Sequence, residues 1–141
     1  MKIKFVYSNI YFRSLNRHKS VATTWDKVKS LGNSFEKRYS SEIIKIPSLI
    51  EKVSSKKFNE KELECYLIDW AGPSFSNPLT LKVRKDPLLM LVILTHELIH
   101  HVTGGKITPK KHQKINDLTE EVIKKLGLKA EDQMAFLRKV I

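Results

Sequence analysis

Residues 86–105 read Asp-Pro-Leu-Leu-Met-Leu-Val-Ile-Leu-Thr-His-Glu-Leu-Ile-His-His-Val-Thr-Gly-Gly. Asp86 suits an N-cap, because its carboxylate can accept from the free N–H groups of a first turn. Pro87 fits the first helical position, where its missing N–H has no partner to lose. A helix over Leu88 to about Val102 follows, and Gly104-Gly105 ends it. Leu88–Leu94 is apolar all round, as a helix buried on every side must be. Thr108-Pro109 repeats the start signal, and a second helix runs to Gly127 with Ile115, Leu118, Val122 and Leu126 as its apolar stripe. A short helix from Ala130 to Val140 closes the chain.

Working outward toward the N-terminus, Leu79–Val83 alternates apolar and polar residues and reads as a half-exposed strand, with Pro78 suiting an edge position. Leu63–Trp70 reads as a strand ending in the turn Ala71-Gly72-Pro73. Ile43, Ile46, Ile50 and Val53 form a helical stripe in which Pro47 predicts a break or kink. Trp25, Val28, Leu31 and Phe35 mark a helix over about Val21–Tyr39, weakened by Gly32. Residues 2–7 alternate, with Ile3, Phe5 and Tyr7 on one side of a first strand. Strand, helices, strands, helices: the order is that of one small α+β domain spanning residues 1–141.

The chemistry lies in His96-Glu97-Leu98-Ile99-His100. Residues i and i+4 share a helix face, so both imidazoles can reach one ion. Glu97 lies beside them, placed to hydrogen-bond a metal-bound water and act as general base. This is the H-E-x-x-H arrangement of zinc metalloproteases. Four of the five histidines fall within residues 96–112. The competing reading, two ordinary histidines on an amphipathic helix, leaves a Glu and adjacent His residues on a very apolar helix with no compensation. A metzincin ligand six residues after the second histidine is excluded, because Thr103 and Lys106 occupy the places of its Gly and third ligand.

The third ligand is therefore sought on the next helix, among His112, Glu120 and Glu121. If the two helices run antiparallel across a short loop, the metal lies at the level of residue 98, about five residues before the first helix ends. At roughly 1.5 Å per residue that level is met again near residues 112–116, and Glu120 and Glu121 lie roughly 10 Å further along. The height argument puts His112 first and leaves the two glutamates as alternatives.

Three runs together resemble the minigluzincins, small archaeal zinc metallopeptidases of the gluzincin clan: Tyr66-Leu67-Ile68, Ser74-Phe75-Ser76-Asn77-Pro78-Leu79-Thr80 and His96-Glu97-Leu98-Ile99-His100. The resemblance extends from about residue 20 onward and includes Ile115-Asn116 and Leu118-Thr119 on the following helix. It implies a minimal zincin-like fold with a short twisted sheet, an active-site helix and a following ligand-bearing helix. It also implies that Leu79–Val83 forms the upper rim of a cleft, where a peptide or protein substrate binds as an added strand. Family members are latent or autoinhibited, so the same is implied here. Two features depart from the pattern. Gluzincins take a glutamate as third ligand, where the height argument prefers His112. Lys124 and Lys125 stand where the acidic residue four positions beyond Glu120 or Glu121 would support the metal.

Composition sets the remaining bounds. The chain has 141 residues, 41% hydrophobic, with five Gly and five Pro, which excludes disordered and fibrous classes. The longest apolar run, Leu88–Leu94, is far short of the roughly 20 residues that span a bilayer, and no membrane association is expected. The first residues lack the apolar stretch of a signal peptide, so a cytoplasmic location is expected. The lone Cys65 reads as a small buried hydrophobe. The net charge is +11; residues 1–60 carry 13 Lys and Arg against 5 Asp and Glu. Scattered lysines without an arginine cluster read as solvated surface. The alternative to a zinc peptidase is a non-catalytic basic domain that binds nucleic acid or another acidic partner.

Overall fold

A computed structural model of the chain describes residues 1–16 and 25–140. Its elements are β1 (Lys2–Val6), α1 (Asn9–Asn16), α2 (Trp25–Arg38), α3 (Ser40–Ser54), β2 (Glu62–Ile68), β3 (Phe75–Ser76), β4 (Leu79–Lys82), α4 (Pro87–Thr103), α5 (Pro109–Lys125) and α6 (Glu131–Val140). This is an α+β fold with a four-stranded mixed sheet in the order β1-β2-β4-β3. β1, β2 and β4 are parallel, with Phe5 opposite Cys65 and Leu67 opposite Leu81; β3 runs antiparallel to β4. Among the described residues no helix is long and apolar enough to cross a membrane.

α4 is the element around which the others gather: α2, α3, α5, α6, β3 and β4 all touch it. Every residue from Met90 to Ile99 is buried, as the all-round apolar sequence demands. Truncating one of its large side chains, such as Leu94, to alanine would cost about 2–5 kcal/mol. Both ends are fixed locally. The Asp86 carboxylate accepts from the N–H groups of Leu88 (3.0 Å) and Leu89 (3.3 Å). At the other end Gly104 takes φ of 58°, a left-handed value that glycine adopts without a Cβ clash. The short connection 104–108 then folds α5 back along α4, and the Thr108 side chain caps α5 by accepting from Lys111 N–H at 3.1 Å.

Several expectations are corrected. Leu79–Val83 is neither half-exposed nor at the edge. β4 lies between β2 and β3, and Leu79, Thr80 and Leu81 are buried. The turn at Asn77-Pro78 sets Phe75–Ser76 against β4, so β3 occupies the edge that a substrate was to use. Pro47 does not break its helix. It is buried inside α3 with Ile43, Ile46 and Ile50, and burial of that stripe holds the turn together despite the missing N–H. The break falls instead at Tyr39, between α2 and α3. α1 has no counterpart in the sequence reading, and the expected start of a helix at Val21 lies outside the described residues. Gly32 sits mid-helix for a packing reason: a Cβ there would meet the Tyr7 ring at 2.7 Å.

Candidate metal centre

The i, i+4 spacing on α4 sets His96 and His100 on one face, and α5 brings His112 against them. The Nε2 atoms of His96 and His100 lie 2.9 Å apart, and those of His96 and His112 3.2 Å apart. All three residues offer a ligand atom within 4.8 Å of one another. His96 is fully buried; His100 and His112 are half-buried and face the solvent side of the cluster.

The environment keeps two of these rings neutral. Burial pushes His96 down to about 3, with His100 and His112 adding repulsion and the Asn116 side chain pulling the other way. Burial, His112 and Lys111 together push His100 down to about 4. Neutral imidazole is the form that ligates a metal. Burial also raises Glu97 to about 8; it is 5% exposed and sits next to His96 on α4.

The buried Nδ1 of His96 and the buried Oδ1 of Asn116 each lack a hydrogen-bond partner among the described residues. The Asn116 side chain is nevertheless a hydrogen-bonding neighbour of the His96 ring. A proton on Nδ1 directed at Asn116 leaves the Nε2 lone pair of His96 facing two other ring nitrogens. Three converging nitrogens with no acid among them suit a bound cation better than any pattern of mutual hydrogen bonds. A donor set of three imidazoles fits zinc.

The other two candidates for third ligand are elsewhere. Glu120 faces α6, with its carboxylate 3.5 Å from Lys124 and 3.7 Å from Arg138. Glu121 is exposed. His101 turns away from the cluster, bonds both carboxylate oxygens of Glu60 (2.8 and 3.1 Å) and stacks on Phe58. Sequence reasoning did not single out Asn116 as a support for His96, although its position one turn after His112 was the available signal.

Two hollows reach the cluster from outside. One of about 380 Å³ is lined by Ser76, Asn77, His100, His101, the glycines 104–105 and Ile107. The other, of about 340 Å³, lies between His100, His112 and the segment Ile107–Pro109. The end of edge strand β3 thus borders the same space as His100.

No protein-family model, curated protein or solved structure matches this chain. The functional reading accordingly rests on the centre itself.

Proposed function

We propose that the chain is a zinc-dependent peptidase in which His96, His100 and His112 hold the metal and Glu97 is the general base. The observation that carries this reading is the convergence of the three imidazoles, with a buried glutamate next in sequence to His96 on α4. Zinc held by three side chains with an open position would supply Lewis acidity and make a nearby water acidic enough to lose a proton near neutral pH. The charge of a bound cation would favour the ionised form of Glu97, which then takes that proton as the water attacks the scissile carbonyl and passes it to the leaving amine. Asn116 orients His96 so that Nε2 faces the centre. A peptide lies along the free edge of β3, where main-chain hydrogen bonds align it beside His100. On this reading the chain is a relative of the minigluzincins in which His112 replaces the glutamate ligand.

The test is direct. Chain reconstituted with zinc and dialysed should retain one zinc, and His96→Ala should retain none. Peptide cleavage by the wild-type chain should be absent from Glu97→Gln protein that still binds zinc. A chain that takes up no zinc, or equal uptake by His96→Ala, overturns the metal assignment; cleavage surviving in Glu97→Gln overturns the role of Glu97.

A further inference from the structure

A second feature lies on the other face of α5. Where the C-terminal ends of α3 and α4 meet the first turns of α5, a hollow of about 340 Å³ is walled by Lys56, Lys111 and Lys114, with Ile115 and Leu118 as its floor. Among the described residues no acidic side chain lines it. The neighbouring carboxylates are engaged elsewhere: Glu51 accepts from Phe58 N–H at 2.9 Å, Glu60 bonds His101, and Asp117 pairs with Arg138 at 2.9 Å.

The two hydroxyls at the rim are also committed. Ser54 donates to the Ile50 carbonyl (2.6 Å) and Thr103 to the Ile99 carbonyl (2.7 Å). The cationic lining of the hollow is then Lys56 and Lys114, together with Lys111, which already gives one N–H to Gly104 and keeps two. Lysines near helix C-termini often answer the partial negative charge there, and Lys111 does so by donating to the Gly104 carbonyl. That explanation does not extend to Lys114, which stands in the second turn of α5. Three like charges around an apolar floor repel one another, and an oxyanion among them removes the repulsion while accepting from all three.

We infer that this hollow binds a phosphate-class oxyanion through Lys56, Lys111 and Lys114. Its residues and the histidine cluster occupy different faces of α5, and Lys111, whose charge also reaches His100, links the two. A dianion with three or four acceptor oxygens matches three ammonium donors better than a carboxylate does.

The experiment is an amide NMR titration of the full chain with inorganic phosphate, with ionic strength held constant by chloride. Saturable shifts should map to Lys56, Thr103, Lys111 and Lys114, with a dissociation constant of the order of 1 mM or tighter. Lys56→Ala/Lys114→Ala, both exposed positions, should weaken binding by about tenfold or more through loss of two charge-assisted bonds, while zinc uptake is unchanged. A parallel titration with a short single-stranded oligonucleotide distinguishes a polyanion surface from a phosphate pocket. Non-saturating phosphate shifts, wild-type affinity in the double variant, or saturation by the oligonucleotide alone would each overturn the inference.

Discussion

Replacing His112 with alanine tests the third ligand more sharply than any other change. The ring Nε2 of His112 lies 3.2 Å from that of His96 and completes the only three-residue ligand cluster found among the described residues. Removing a side chain that merely supports a ligand usually costs 10- to 100-fold in metal affinity, so loss of a ligand itself should cost at least about 100-fold, or about 2.7 kcal/mol. Stability of the metal-free protein should change little, because His112 is half-buried in the first turns of α5 and the Thr108 cap is untouched. Glu120→Ala removes contacts to Lys124 and Arg138 at 3.5 and 3.7 Å. Such surface pairs are worth about 0–1 kcal/mol, with no reason for an effect on zinc. Glu121→Ala should be silent in both respects. The assay is competition with a chromogenic chelator on the three variants side by side, with thermal unfolding of the metal-free forms as the folding control. If Glu120→Ala or Glu121→Ala loses the metal while His112→Ala keeps it, α5 does not pack on α4 in the way that brings His112 to the metal, and the gluzincin glutamate rule holds.

Other outcomes follow from the same geometry. Asn116→Ala should lower zinc affinity about 10- to 100-fold without removing a ligand, and unchanged affinity in a folded variant would leave the His96 Nδ1 without its assigned partner. The metal-free protein should be most stable near pH 6.5. Below that pH the unfolded chain gains protons that His96 and His100, held down to about 3 and about 4, refuse in the fold, so stability falls as pH drops. Between pH 6.5 and 8 the fold holds a proton on Glu97, raised to about 8, that the unfolded chain has lost, so stability falls as pH rises, by up to about 1.4 kcal/mol per pH unit. Denaturant unfolding across pH checks both limbs, and Glu97→Gln should abolish the alkaline one; a variant that keeps it would refute the assignment. Cys65 is fully buried and its thiol is pushed upward by desolvation, so native protein should resist a thiol reagent that labels the unfolded chain at once; rapid native labelling would contradict the packing of β2.

Local chemistry made much of this legible in the sequence. The Asp86-Pro87 start, the Gly104-Gly105 stop and the histidine pair depend on residues within one or two turns of each other, and the structure has each where the pattern puts it. The position of His112 needed one tertiary assumption, antiparallel packing across a short loop, which the length of residues 104–108 nearly forces. The sheet was less legible. Nothing in Leu79-Thr80-Leu81 says whether another strand will cover it, and the two residues of β3 are too few to carry a periodic signal. Pro47 went the same way: its local preference for a break is outweighed by burial of Ile43, Ile46 and Ile50, whose partners lie far along the chain. The approach of Asn116 to His96 joins residues of two helices, and the gathering of Lys56 with Lys111 and Lys114 joins α5 to the segment that follows α3. The sequence by itself determined which helix carries the histidines and where it begins and ends, because capping and i, i+4 geometry are short-range. Which strand lies at the edge, and which polar groups meet across helices, was decided only by the packed structure, because those contacts depend on how distant segments bury their apolar faces against one another.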